Sequence, residues 1–423
     1  MSSAPSTAAS CGACWPASTA TPCPRASRRA PSGIRPASPW CERGRAPVSR
    51  HYLDHASTSP ARPEAVEAML PWLAGQGGAD PGRVHTEGRM ARAAIEEARE
   101  QVATLLGARS REVVFTSGGT EAVNAAVWGA TRARPGAAVV CAAVEHSAVR
   151  DASHRHAPVV EPAVDGWGRV RVEAVVELDP SQLALVHCQW GNHEVGTLQP
   201  VAEVVAWARE HGLLTHVDAA AAAGHAVVDF DGLGADLLSV SAHKLGGPKG
   251  VGALVVRRGL RLDPFIVGGE QERARRGGME NVPAIVGFGA AAAALAGDAG
   301  SRLRSEADQA RTRTDGLAAA LTAMDGVRRY GDAWRRLPHI VCVGVEGIEA
   351  EAVLLGLDQS GIAAHSGSAC SSESLEPSPV LEAMGVDAER SLRLSVGWST
   401  TDDDVGACVA ALPGVVERLR ALR

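Results

Sequence analysis

From about residue 52 onward the chain alternates short apolar runs with longer stretches of helical spacing. The runs Glu112–Thr116, Ala138–Ala142, Leu183–Cys188, Leu213–Val217, Leu237–Val240 and Val251–Val256 are four to six residues long, as expected of strands buried on both faces. Between them, Glu64–Leu73, Thr120–Ala130, Ser147–His156 and Val201–His211 repeat apolar positions at helical spacing. Thr86 caps a further helix that runs through Ala93, Ile95, Ala98, Val102 and Leu105 and stops at Gly107. This alternation predicts an α/β fold, a parallel sheet with helices on both faces, and ligands at the carboxyl ends of its strands. Beyond the alanine-rich helix Pro283–Ala296 the order changes. A long helix Ser301–Met324, strand Ile340–Val345, helix Glu349–Gln359, a short strand near Ile362, strand Leu392–Val396 and a closing helix Thr401–Leu422 predict a smaller α+β domain. There is no internal repeat.

Composition adds limits. The 423 residues can bury a large core, and 45% apolar with 21% charged residues is a globular profile. A net charge of −6 is no footprint for nucleic acid or an anionic membrane, so neither is expected as a partner. No apolar run approaches the roughly eighteen residues of a membrane-crossing helix. Residues 1–50 differ: Ala, Ser and Pro make up 27 of them, and seven arginines face one acid. This stretch reads as disordered, or as an over-extended start. It has no apolar h-region of a secretory signal, and its arginines lack the amphipathic period of a transit peptide. The nine cysteines form no disulfide framework, which points to a reducing, cytoplasmic setting. Cys11 and Cys14 have CxxC spacing without a second pair, and no metal site is expected. Cys141, Cys188 and Cys342 read as small buried residues.

Only two lysines occur, Lys244 and Lys249, and arginine carries the routine positive charge. Lys244 stands in Ser239-Val240-Ser241-Ala242-His243-Lys244-Leu245-Gly246-Gly247-Pro248-Lys249-Gly250, where an apolar strand ends in a glycine-rich turn. Unlike arginine, a desolvated lysine can shed its proton and form a Schiff base. Other stretches end apolar strands in the same way. Phe115-Thr116-Ser117-Gly118-Gly119-Thr120-Glu121 leads into a helix N-terminus, which is either an anion site or an ordinary cap. Thr215-His216-Val217-Asp218 ends in an acid, either a cap or a carboxylate that needs a partner. Val144-Glu145-His146-Ser147 places a histidine at a helix start. Gly191-Asn192-His193-Glu194-Val195-Gly196-Thr197 follows another strand. Cys370 lies in Ser366-Gly367-Ser368-Ala369-Cys370-Ser371-Ser372-Glu373-Ser374-Leu375-Glu376-Pro377-Ser378, a small and polar loop where a thiolate can travel and react.

In type, order and spacing these stretches, from about Tyr52 to the C-terminus, resemble the cysteine desulfurases, pyridoxal-phosphate (PLP) enzymes of the class V aminotransferase group. The resemblance implies a fold-type I transferase: a large PLP domain over 66–300 with a mainly parallel seven-stranded sheet, and a small domain of 51–65 and 301–423 that carries the mobile cysteine loop. It implies that Lys244 binds PLP as a Schiff base, that Gly119, Thr120, Ser241 and His243 hold the phosphate, and that Asp218 pairs with the ring nitrogen. It implies that His146 stacks on the ring and shuttles protons. Asn192 and Arg393 would grip the carboxylate of L-cysteine, and Cys370 would carry sulfur to an acceptor protein, a scaffold or thiolation enzyme serving iron–sulfur clusters or tRNA thiolation. A homodimer is implied, with Glu272–Asn281 reaching the partner's phosphate. Three positions depart from the pattern: Ala221 stands where a glutamine is common, Met279 where a threonine is usual, and His193 where the family has the second of two asparagines. An aminotransferase, a selenocysteine lyase or a weakly catalytic sulfur-partner-binding relative would share the scaffold.

Overall fold

The computed structural model describes residues 49–74, 79–366 and 377–422. The expectations for residues 1–48 and for Cys370 fall outside these. The described chain opens on a two-residue strand, β1 (His51–Tyr52). The large sheet then collects β2 (Val113–Thr116), β3 (Ala138–Val140), β4 (Val159–Val160), β5 (Leu183–His187), β6 (Leu214–Asp218), β7 (Leu237–Ser241) and β8 (Gly252–Val256). Their order across the sheet is β2-β8-β7-β6-β5-β3-β4. Strands β2, β5, β7 and β8 are buried along their whole length, which is why they read as unbroken apolar runs. β8 alone runs antiparallel to its neighbours β2 and β7. Only residues 242–251 separate it from β7, and a parallel crossover needs about a dozen residues or more. That short link is the turn that carries Lys244.

Helices cover both faces. On one side α3 (Gly119–Ala133) and α4 (Ser147–His156) pack over Val139, Leu185, Leu237 and Leu254. On the other, α1 (Pro63–Leu73) and α2 (Thr86–Leu105) pack against a helical stretch Val282–Thr322. α2 begins one residue earlier than a Thr86 cap requires: His85 is the cap, its Nδ1 accepting from Gly88 N–H at 3.1 Å. The stretch 282–322 is broken by non-helical backbone at Gly297–Gly300. By length and composition it is the one helix among the described residues that could cross a membrane, contrary to the expectation of no such run. Its alanines supply the hydropathy, and half of the apolar window is buried inside the protein.

A second sheet, ordered β12-β10-β9, contains β9 (Val327–Tyr330), β10 (Ile340–Val345) and β12 (Ser391–Ser395), while β11 (Ile362–Ala363) pairs in parallel with β1. A separate cluster of buried side chains, including Leu53, Leu317, Val343, Leu394 and Leu412, fills this region. Asp54 bridges to Ser395, so the chain that leaves β1 meets the end of β12.

The segment after β8 is pinned to the large sheet by a buried ion pair. Arg99 Nη1 and Nη2 meet the two Glu272 oxygens at 2.6 and 2.7 Å. Glu272 Oε2 also accepts from Phe115 N–H at 2.8 Å, and the Arg99 guanidinium lies 4.8 Å from the Phe115 ring centroid.

Candidate active site

A cleft of about 560 Å³ opens at the carboxyl ends of β5, β6 and β7. Of the residues expected from sequence, Gly119, Thr120, His146, Asp218, Ser241, His243, Lys244 and Arg393 all line it. Residues 51–65 contribute Ser57 and Thr58, and His365 joins from the segment before Cys370.

One end of the cleft suits a phosphate. β2 stops at Thr116 and α3 starts at Gly119, leaving first-turn N–H groups without helical acceptors. Ser241 closes β7, and His243 follows in a tight turn with Nδ1 3.2 Å from Thr58 Oγ1. Gly252 brings β8 close to this loop: a Cβ there would lie 2.8 Å from Gly118 Cα. Burial, helped by Lys244 and Lys249, pushes the His243 pKa down to about 4, so the ring is neutral.

Farther in, Asp218 Oδ1 accepts from Ala220 N–H at 2.9 Å and from Ser239 Oγ at 3.1 Å. The carboxylate also lines the cleft, where it can face a protonated ring nitrogen. His146 caps α4, its Nδ1 accepting from Ala148 N–H at 3.1 Å. A proton on the neutral ring therefore sits on Nε2. Burial, then the nearby His193 and Lys244, hold the His146 pKa well below its ordinary value. Its ring meets His193 edge-on, with centroids 4.8 Å apart.

Arg393 projects from β12 and is buried. Its Nη1 donates to His193 O at 2.9 Å, and Nη2 to Asp54 Oδ1 at 3.0 Å and Ser57 Oγ at 2.6 Å, while Nε has no partner. A bound carboxylate would satisfy a guanidinium held in this way. Arg393→Lys removes the planar fork, and KM for the amino-acid substrate is expected to rise roughly 10–100-fold in steady-state assays.

Asn192 is placed differently from expectation. It is fully buried and is not on the cleft wall. Its Oδ1 accepts from Glu194 and Val195 N–H groups, both at 2.8 Å, and its Nδ2 donates to Val144 O at 3.0 Å. The amide oxygen shapes its own turn and the amide nitrogen ties that turn to Val144, so the structure does not bring Asn192 to the cleft wall. The wall positions here belong to Gln189, Gly191 and His193. His193 was visible in the sequence only as a departure from a double asparagine, and His365 carried no signal at all. Ala221 lines the cleft without a hydrogen-bonding side chain, and Met279 is 67% exposed.

This donor set fits PLP: helix amides with Ser241 and His243 for the phosphate, the Asp218 carboxylate for the ring nitrogen, and Lys244 for the aldehyde. Among the described residues no group of three or more His, Cys, Asp or Glu side chains is placed to hold a metal ion.

The buried histidines set a pH dependence of stability. Burial is the largest cause in His55, His216 and His225, each pushed from 6.5 down to about 4. The unfolded chain takes up protons near pH 6.5 that the native state refuses. Their contribution is complete above pH 6.5 and falls as pH drops toward 4, by about 2 kcal/mol per ring at pH 5. Glu145 and Glu194, raised by burial to about 8 and 7, act in the opposite sense, since a native state with protonated carboxyls gains on acidification. His187, His193 and His339 are also pushed down, so the rings outnumber the two acids. The urea midpoint is expected to be lower at pH 5 than at pH 7, and an equal or higher midpoint at pH 5 would contradict neutral buried rings.

Comparison with known proteins agrees with this geometry. The aminotransferase class-V family profile matches residues 51–408. Cysteine desulfurase IscS 1 of Archaeoglobus fulgidus is 41% identical over 380 residues, covering 88% of this chain and 98% of the relative. A solved NifS-like protein from Rickettsia africae superposes with a TM-score of 0.79 at 29% identity, covering 87% of this chain and 99% of that one. SspA, solved in complex with cysteine, gives a TM-score of 0.71 at 29% identity, over 83% of this chain and 100% of its own. The chain belongs to the class-V aminotransferase family and, within it, to the cysteine desulfurases.

Proposed function

We propose that the protein is a PLP-dependent cysteine desulfurase that converts L-cysteine to L-alanine and keeps the sulfur on Cys370. The observation that carries this reading is the convergence of Lys244, Asp218, His146 and Arg393 on one cleft. When bound, PLP supplies an electron sink for bond breaking at the substrate's α-carbon. Arg393 grips the substrate carboxylate and orients the α-hydrogen. Lys244 takes and returns the proton at that carbon, and His146, its Nδ1 held by Ala148 N–H and its Nε2 protonated, is placed to donate a proton from Nε2. Asp218 keeps a proton on the ring nitrogen. The Cys370 thiolate attacks the substrate sulfur: an S–S bond forms, the C–S bond breaks, and the electron pair leaves with carbon, which takes a proton and departs as alanine.

The persulfide then passes to an acceptor protein, a scaffold for iron–sulfur clusters or a thiolation enzyme. The working unit in this reading is a cytoplasmic homodimer in which Glu272–Asn281 reaches the partner's cofactor, without the hydroxyl that Met279 lacks. Cys370→Ala tests the central step. The variant is expected to keep its visible cofactor band and to release no sulfide from L-cysteine in the presence of a thiol reductant. Normal sulfide release would remove Cys370 from the mechanism and favour another class V chemistry.

A further inference from the structure

The turn that presents Lys244 is held at four successive carbonyls. Ser59 N–H donates to His243 O at 2.9 Å, His225 Nε2 lies 3.2 Å from Lys244 O, Arg62 Nε donates to Leu245 O at 2.8 Å, and Arg62 N–H donates to Gly246 O at 2.8 Å. Residues 59–62 supply three of these bonds. The bond at Lys244 itself comes from a side chain, at the far end of the loop that Asp218 begins. A carbonyl only accepts, so His225 Nε2 carries the proton. Gly224 permits the approach, with φ at +84° and an added Cβ only 2.4 Å from Leu245 Cβ.

The His225 ring lies flat on His339, with centroids 3.6 Å apart and planes 13° apart. His339 is buried, and its Nδ1 has no hydrogen-bond partner. Burial keeps both rings neutral, so they can stack without repulsion. His339 immediately precedes β10, whose Cys342 is paired with Arg393 of β12. The stack therefore joins two elements: the turn that carries the amine, and the strand pair that carries the guanidinium.

We propose that His225 and His339 are positioning residues: their stack ties the Lys244 turn to the β10–β12 pair and so fixes the separation between amine and guanidinium that an α-amino acid has to span. The proposal rests on the desulfurase reading for the identity of its substrate. A single carbon separates the reacting nitrogen of an amino acid from its carboxylate carbon, and misplacement by about 1 Å costs on the order of 100-fold in rate. Packing alone would make the rings matter for stability and not for this geometry.

Four variants of the full-length, cofactor-loaded protein separate the two. His225→Phe keeps a flat ring and loses the donor, whereas His225→Gln keeps a donor and loses the ring. His339→Phe keeps a flat ring and His339→Ala does not. The readouts are KM and kcat for L-cysteine, the pH midpoint of the visible lysine–cofactor band, and the melting temperature. His339→Ala is expected to raise KM about tenfold, with His339→Phe near the parent value. His225→Phe is expected to lower kcat about tenfold and to shift the pH midpoint of the band, with His225→Gln close to parent in that midpoint. The proposal is overturned if the melting temperature falls while KM, kcat and the midpoint stay put, or if phenylalanine at 339 is as poor as alanine. Should His339→Ala not fold, the phenylalanine and glutamine variants still decide. If the parent protein shows the band but does not turn over cysteine, the desulfurase reading fails, and the midpoint shift still tests the role of His225.

Discussion

Lys244→Ala is expected to lose cysteine turnover by on the order of 10⁴-fold, together with the visible band of the cofactor linkage. The turn around Lys244 is held through its backbone by Ser59, Arg62 and His225, so removing the amine should leave the fold intact. Lys244→Arg should be no better, because a guanidinium keeps its proton and cannot form the linkage. The second lysine sharpens the test. Lys249 is exposed and lines the same cleft, and it is the only other side-chain amine in the chain. Absorption spectra and sulfide assays on the two single variants decide the matter: retention of the band in Lys244→Ala, lost again on removing Lys249, would transfer the role to Lys249.

Glu272→Ala should be among the most destabilising substitutions, by about 3–5 kcal/mol in urea unfolding. It would leave the Arg99 guanidinium, 1% exposed, without its bidentate partner, and Phe115 N–H without its acceptor. The local backbone points the same way. Glu272, Arg273 and Ala274 all have positive φ, between 49° and 61°, a conformation that non-glycine residues hold only when their surroundings enforce it. Two residues on from Ala274, Arg276 pairs with Glu121 at 2.9 Å in the first turn of α3. Loosening the 272 loop should therefore also weaken cofactor retention at that helix end. Glu272→Gln keeps the shape and part of the hydrogen bonding and should fall between parent and alanine. If Glu272→Ala unfolds within 1 kcal/mol of the parent, on the scale of a surface substitution, the pair is not what fixes this loop.

Much of this was legible in the chain because the buried strands announce themselves. Leu183–His187 and Leu237–Ser241 are buried along their whole length, and the acid that ends β6 and the lysine in the glycine-rich turn after β7 lie at the cleft. Strand direction was not legible: β8 looks like its parallel neighbours, and only the short link from β7 reverses it. The two-residue β4 is too short for a period to show, and β9 interleaves two arginines with its apolar positions. At the site, Lys244, Asp218 and Arg393 could be read because charged groups that end apolar strands demand partners. Asn192 could not be placed, because an amide that builds its own turn and one that faces a ligand look alike in sequence. His225 and His339 were silent for the opposite reason. Their roles depend on rings brought together across long sequence separations, and no local spacing encodes that.

Four cysteines, Cys141, Cys188, Cys342 and Cys408, are buried and unpaired, and burial raises all their pKa values, to about 12 in Cys342 and Cys408. They stay as inert thiols in neutral solution. A protein whose trade is sulfur thus keeps its interior thiols from competing for the cargo. In an alkylation experiment on the native protein, followed by peptide mapping, these four should remain unmodified, so none of the cysteines among the described residues competes with a label found near residue 370.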